Sequence, residues 1–226
     1  MPKPTNAEFA DIFDSAAQGY DQMSNPYAVS RRREFFIQNA KGDCLEVGAG
    51  TGEISLALKQ AGHRAVATDI SPNMVSEIEK KGIKAKVCDS ETLPFADKSF
   101  DTIISSEHIY YLDRPEKFIA EARRVLRPGG RLLISSANHT TRFYDRIRAI
   151  LRTLGLGQMY FEDKNRSFMT LGRMQGLLGS GGFKIVRSEK AIVLPVGFLD
   201  SFNRLIEKTP LKHAAIFIFV YAEIKE

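Results

Sequence analysis

Short apolar runs alternate with amphipathic stretches through the middle of the chain. Cys44–Gly48 predicts a buried strand and Gly52–Ala61 a helix. Ala65–Asp69 predicts a second strand. Pro72–Lys80 predicts a helix with Ser71 as N-cap and Pro72 in its first turn. A third strand is expected at Ile83–Cys88, a fourth at Phe100–Ser105 and a helix at Glu116–Leu126. A fifth strand, Arg131–Ser135, follows the turn Pro128-Gly129-Gly130. Strands alternating with helices imply parallel pairing through right-handed crossovers. The expected fold class is α/β: a doubly wound, mostly parallel seven-stranded sheet with helices on both faces.

The two ends depart from this alternation. Residues 1–40 predict polar helices carrying Phe9, Phe13, Tyr20 and Tyr27, which we read as an N-terminal helical lid. Residues 140–180 predict helices with no intervening strand, too long for a simple crossover, and suggest a small helical cap inserted over the sheet edge. Beyond Gly181-Gly182 come a strand, Phe183–Leu194, a short helix near Leu199–Lys208 and a strand, Ala215–Ile224. The short link through Pro210 makes the last strand antiparallel. The chain, 1–226, reads as one domain.

Composition narrows the class. A hydrophobic content of 43% is enough for a sizeable core. The two cysteines, Cys44 and Cys88, fall in or beside predicted strands and suggest reduced thiols in a cytoplasmic protein. No secretory leader is evident, and the longest apolar run, Ala214–Ala222, is too short to span a bilayer. The net charge of +5 is concentrated in two knots, Arg31-Arg32-Arg33 and Arg142, Arg146, Arg148 and Arg152. Solvated helix faces account for such knots. An anionic acceptor, or transient contact with an anionic membrane surface, is the other reading. With no recognition module and no aromatic–basic ladder, a nucleic-acid partner is not expected.

The chemistry concentrates at Glu46-Val47-Gly48-Ala49-Gly50-Thr51-Gly52. A strand, a glycine turn and a helix start let a ligand approach the backbone without meeting a Cβ. Asp69 closes the next strand, where an acid can accept from both hydroxyls of a ribose. A dinucleotide would ask for a third glycine where Glu53 stands, so that a pyrophosphate could lie on the helix N-terminus. Acids at Glu46 and Glu53 suit a cationic ligand better. S-adenosylmethionine carries a sulfonium and an ammonium and no phosphate. No metal site is expected.

The chain resembles the class I S-adenosylmethionine-dependent methyltransferases, in the group that includes the ubiquinone and menaquinone C-methyltransferases. Five fragments carry the resemblance: Leu45–Gly52; Thr68-Asp69-Ile70-Ser71; Cys88–Phe95; Ser99–Ser105; and Glu121–Leu132 with its Pro-Gly-Gly turn. The resemblance implies a Rossmann-like fold with S-adenosyl-L-methionine as donor and S-adenosyl-L-homocysteine as product. It implies that Gly48 and Gly50 line the methionine portion and that Glu46 orients its ammonium. Asp69 would hold the ribose and Ile70 would pack on the adenine. Asp89 and Ser90 would read the adenine edge, and Ser105 or Ser106 would lie beside the methyl.

For the acceptor, Ser106-Glu107-His108-Ile109-Tyr110-Tyr111 follows the fourth strand, where the family places groups facing it. His108 is the candidate general base, displaced from the position its relatives use, with loop packing as the alternative. Tyr20 is the second candidate catalytic residue, since an aromatic face suits a sulfonium. The apolar positions Phe143, Ile147, Ile150, Leu151 and Leu154, extended by Phe161, Phe168 and Met169, suggest a lid over a lipid-like, quinone-like or anionic small molecule. The expected reaction is in-line displacement of a methyl onto such an acceptor. The alternatives are a catalytically silent cofactor-binding subunit and a nucleotide-dependent oxidoreductase. Oligomeric state and acceptor atom are open.

Overall fold

The computed structural model describes residues 5–23, 26–138, 169–191, 200–210 and 215–225. Helix α1 (Asn6–Ala16), a 3-10 turn (Tyr20–Met23) and α2 (Pro26–Asn39) precede the sheet. Then follow β1 (Asp43–Val47), α3 (Glu53–Gln60), β2 (Arg64–Asp69), α4 (Pro72–Lys80) and β3 (Lys84–Val87). After these come β4 (Phe100–Ser106), α5 (Pro115–Val125), β5 (Leu126–Ala137), α6 (Leu171–Ser180), β6 (Phe183–Ala191), α7 (Asp200–Ile206) and β7 (Phe217–Ile224). The seven strands form one sheet in the order β3-β2-β1-β4-β5-β7-β6. Strands β1 to β5 pair in parallel, and β7 runs antiparallel to both β5 and β6. The expected architecture, with its antiparallel last strand, is present.

Burial explains why these runs are strands. Successive side chains point to opposite faces, and both faces are covered. Leu45, Val47, Ile103, Leu132 and Ile134 pack with Phe118 and Ile119 of α5. Cys44, Ile104, Leu133 and Phe219 pack with Phe35 and Phe36 of α2 and Leu58 of α3. The expected N-cap of α4 is formed, with Ser71 Oγ accepting from Met74 N at 3.1 Å. Strand β5 starts earlier than expected. Leu126 pairs with Phe100 ahead of the Pro-Gly-Gly turn, and the register shifts before Thr102 pairs with Arg131.

Of the expected cap over 140–180, residues 139–168 lie outside the described residues, and with them the arginines and apolar positions from 142 to 168. Met169 is buried in the main core. Helix α6, capped by Thr170, buries Met174 and Leu178 in that same core. The end of this stretch therefore belongs to the helical layer of the sheet.

The N-terminal segment is tied across the carboxyl ends of the strands. Asp14 Oδ1 accepts from Asn73 N at 2.9 Å and from Ser71 Oγ, placing a carboxylate on the N-terminus of α4. Asp21 takes the Thr51 hydroxyl through one oxygen and Lys81 Nζ at 3.0 Å through the other. Phe9 and Phe13 meet Tyr111 edge-on at 5.3 and 5.2 Å. Loss of the Asp14 contacts in Asp14→Ala should cost about 1 kcal/mol, the usual scale for a helix cap. Amide exchange over residues 5–23 should accelerate while the strands keep their protection. Unchanged exchange in that segment would show that Asp14 does not hold it.

Candidate functional site

In an open parallel sheet, ligands gather where the strand order reverses, outside the carboxyl ends of the strands. Here that point lies between β1 and β4, whose neighbours β2 and β5 lead away in opposite directions. A cavity of about 510 Å³ opens there, within the usual range for small-molecule sites. Glu46, Gly48, Gly50, Asp69, Ile70, Asp89, Ser90, His108 and Tyr20 all line it. Nine of the ten residues expected from the sequence are thus brought together.

The tenth, Ser105, is fully buried and does not line the cavity. Strand alternation turns it to the α5 face with Ile103, where its Oγ lies 3.3 Å from His108 Nδ1. Ser106 lines the cavity in its place.

Gly48 has φ +64°, and a Cβ there would stand 2.2 Å from His108 Cδ2. The backbone is bare because an imidazole lies against it. At Gly50, φ is +55°, and its N–H donates to Asp69 Oδ2 at 2.8 Å. Asp69 Oδ1 accepts from Ser71 N at 3.0 Å. Both oxygens are thus fixed by backbone donors. Burial raises the Asp69 carboxyl to about 6, against the pull of the Ser71, Gly50 and Ile70 amides.

Glu46 is 2% exposed. Its Oε2 accepts from Ser55 N at 2.8 Å and Ser55 Oγ at 2.6 Å, inside the first turn of α3. Burial lifts its carboxyl to about 7, opposed by the Ser55 hydrogen bonds and then by the Arg32 guanidinium. Glu53, expected to repel a pyrophosphate, is paired with Arg33 and lies 4.0 Å from Lys81 Nζ. Its charge is compensated, so the case against a dinucleotide rests on the glycine spacing and on Glu46.

The loop after β3 is braced from behind. Asp89 Oδ1 caps the Glu91 amide at 2.9 Å. Glu91, itself buried, accepts from Arg114 N at 3.1 Å and pairs with its guanidinium at 2.7 Å. These contacts hold Asp89 and Ser90 at the cavity wall.

After β4 the chain turns through Glu107, whose φ of +55° is a left-handed conformation uncommon outside glycine. Its N–H donates to Ser135 O at 3.1 Å, and Tyr110 OH donates to its Oε2 at 3.2 Å. This turn presents Glu107 and His108 to the cavity. The His108 ring meets Phe118 edge-on at 5.5 Å. Burial pulls its pKa down to about 4, resisted by the Asp89 carboxylate. A neutral imidazole of that basicity is a poor proton acceptor near pH 7 and well suited to packing and hydrogen bonding.

Sequence reasoning passed over Asp21, which lines the cavity, and Asp14, which ties the segment above it to α4. Phe9, Phe13 and Tyr20 signalled the lid through their helical spacing, but nothing local told which polar neighbours would meet α3 and α4. Asp101 accepts from Asp43 N at 2.9 Å and from Arg127 at 2.7 Å, at the far end of its strand. Among the described residues no cluster of metal-ligating side chains occurs, and no helix is long and apolar enough to cross a membrane.

Residues 45–134 match the family described as methyltransferase domain. The chain is 35% identical over 133 residues to a ubiquinone/menaquinone biosynthesis C-methyltransferase of Desulfotalea psychrophila, spanning 53% of this chain and 54% of that enzyme. An uncharacterised protein of Methanocaldococcus jannaschii is 28% identical over 200 residues, 84% of this chain and 89% of that one. Among solved structures, a SAM-dependent methyltransferase of Thermotoga maritima superposes with a TM-score of 0.68 at 20% identity, covering 95% of this chain and 99% of that one. The named enzyme from D. psychrophila is matched over about half its length. The match over residues 45–134 and the similar enzymes support a class I S-adenosylmethionine-dependent methyltransferase.

Proposed function

We propose that this chain binds S-adenosylmethionine and transfers its methyl group to a small-molecule acceptor by in-line displacement, releasing S-adenosylhomocysteine. The observation that carries this is Asp69. Its two oxygens are fixed by the amides of Gly50 and Ser71, beside a glycine turn and facing a cavity of nucleoside size. A cationic ligand also explains why Glu46 is buried at that turn. The bound donor supplies an already activated methyl group.

The residues then divide the work. Asp69 holds the ribose hydroxyls, Ile70 packs on the base, and Asp89 and Ser90 read its edge. Glu46 orients the ammonium. Tyr20, whose ring stands 3.6 Å from where a Gly50 Cβ would be, offers an aromatic face near the sulfonium. Ser106, Glu107 and His108 face the acceptor, His108 as a positioning residue. Closing α1 over the cavity excludes water and aligns the reactants, which contributes more than proton transfer when the leaving group is already activated.

Phe9, Phe13, Tyr20 and Tyr111 give the acceptor side an aromatic wall. That wall suits a planar, weakly polar acceptor, and the name of the D. psychrophila relative points to a quinone-like ring. We place the reaction in the cytoplasm, with an apolar or anionic small molecule as partner.

The direct test is methyl transfer from labelled S-adenosylmethionine to quinol, phenol, amine and lipid panels, with product formation expected on a ring acceptor. Binding of the donor with no transfer to any of them would favour a silent cofactor-binding subunit. Asp69→Ala should weaken S-adenosylhomocysteine binding by about 1–3 kcal/mol in a calorimetric titration. An unchanged affinity would remove Asp69 from the site.

The two raised carboxyls set a pH dependence. Between their ordinary values and about 6 for Asp69 and 7 for Glu46, the native protein holds protons that the unfolded chain has released. Their contribution to stability therefore falls as pH rises through that window. A cationic ligand favours the ionised forms, so affinity should rise from about pH 5.5 to 7.5 with proton release on binding. Calorimetry in buffers of different ionisation enthalpy reads that release, and its absence would contradict the assignment. His108→Gln should leave the pH profile of kcat/KM unshifted between about pH 6 and 8. Loss of a limb there would restore His108 as a proton acceptor.

A further inference from the structure

Two walls of the cavity meet at one buried carboxylate. The first wall is the loop after β3, where Asp89 and Ser90 face the cavity. The second is the loop after β4, where Glu107, His108, Tyr111 and Leu112 face it. Burial pulls the His108 pKa down and the Asp89 carboxylate opposes that fall, so the two walls sense one another. The second loop is anchored at its start by the Glu107 amide, which donates to Ser135 O on β5 at 3.1 Å. Its far end is Arg114, the N-cap of α5.

The local sequence lacks the usual anchor for that far end. A capping box needs Glu or Gln at the third helical position, reaching back to the N-cap amide. Here that position is Lys117, which carries no acceptor, and the Arg114 side chain makes no cap hydrogen bond. Glu91 supplies the missing acceptor from the other loop. Its Oε1 accepts from Arg114 N at 3.1 Å, and its Oε2 pairs with the Arg114 guanidinium at 2.7 Å. The Glu91 side chain is 2% exposed and that of Arg114 55%. Carboxylates are seldom buried so fully, because desolvation is costly unless the charge is paired. The Glu91 amide in turn donates to Asp89 Oδ1 at 2.9 Å, and the Thr92 amide to Asp89 O at 3.0 Å. Asp89, Glu91 and Arg114 therefore form an unbroken run of contacts from one wall to the other.

We propose that Glu91 is a positioning residue that couples the two walls. A base engaging Asp89 and Ser90 steadies the Glu91 carboxylate, and through it the Arg114 end of the second loop. The inference rests on the S-adenosylmethionine reading above and adds an order of events to it. The acceptor meets a finished wall only after the donor's base is in place. The link is short and runs through hydrogen bonds to backbone amides, so order at one end restricts the other. A ligand shifts the second loop only by what it gains from the ordered form, which here is the Glu91–Arg114 contact.

Amide hydrogen exchange of the full chain, with and without saturating S-adenosylhomocysteine, tests this. Calorimetry sets the saturating concentration for each variant. In the wild type the ligand should slow exchange over residues 88–92. It should also slow residues 114–118, which do not line the cavity, by about tenfold. In Glu91→Ala the ligand should still protect 88–92 and no longer protect 114–118. Glu91→Gln keeps an acceptor for the Arg114 amide and loses the ion pair, so it should retain part of the effect. A purely structural brace would change exchange at 114–118 equally with and without ligand. If Glu91→Ala does not fold, Arg114→Gln removes the ion pair alone and should match Glu91→Gln. Undiminished ligand protection of 114–118 in these variants overturns the coupling and leaves the cofactor reading standing. So does its absence from the wild type while 88–92 is protected. Failure of the wild type to bind S-adenosylhomocysteine overturns the cofactor reading and this inference with it.

Discussion

The site depends on a bare stretch of backbone between β1 and α3. At Gly48 and Gly50 the chain runs left-handed, and at Gly48 the His108 ring occupies the space a side chain would need. Because the turn is that tight, the Gly50 amide reaches Asp69 across the sheet, and α3 begins early enough for Ser55 to meet Glu46. Two acids are thereby buried at the ends of adjacent parallel strands. Burial raises both toward neutrality. Only a ligand bringing positive charge or hydroxyl donors returns what their desolvation costs.

The remainder of the fold delivers partners to that turn. Two covered sheet faces fix the register of β1 between β2 and β4, so Glu46, Asp69 and Ser106 end at one rim. The N-terminal segment closes the rim from the other side. Asp14 caps α4, Asp21 joins Thr51 to Lys81, and the Phe9–Phe13–Tyr111 cluster seals the edge. These latches grip the same loops that line the cavity.

Strand–helix alternation and the Pro72 and Ser71 signals made the sheet and α4 legible from sequence, because they follow from local periodicity and capping chemistry. The glycine turn and Asp69 were legible because backbone geometry demands glycine at the turn and the carboxylate closes the adjacent strand beside it. What sequence could not show is set by distant packing. His108 reads as a base from its intrinsic pKa, but its burial against Phe118 and Gly48 changes its chemistry. Glu53 reads as a bare charge, but Arg33 from another helix neutralises it. Ser105 and Ser106 are indistinguishable until strand parity assigns their faces. The Arg31-Arg32-Arg33 knot reads as one basic patch, and helix periodicity within a specific fold separates it into two ion-paired arginines and one, Arg32, that makes no ion pair among the described residues.

The central claim is that the glycine turn with its two buried acids receives a sulfonium nucleoside and not a dinucleotide. Parallel calorimetric titrations of the full chain with S-adenosylhomocysteine and with NADH test it most directly. The account predicts one saturating site for S-adenosylhomocysteine and no heat of binding for NADH. Saturable NADH binding with no response to S-adenosylhomocysteine would contradict it.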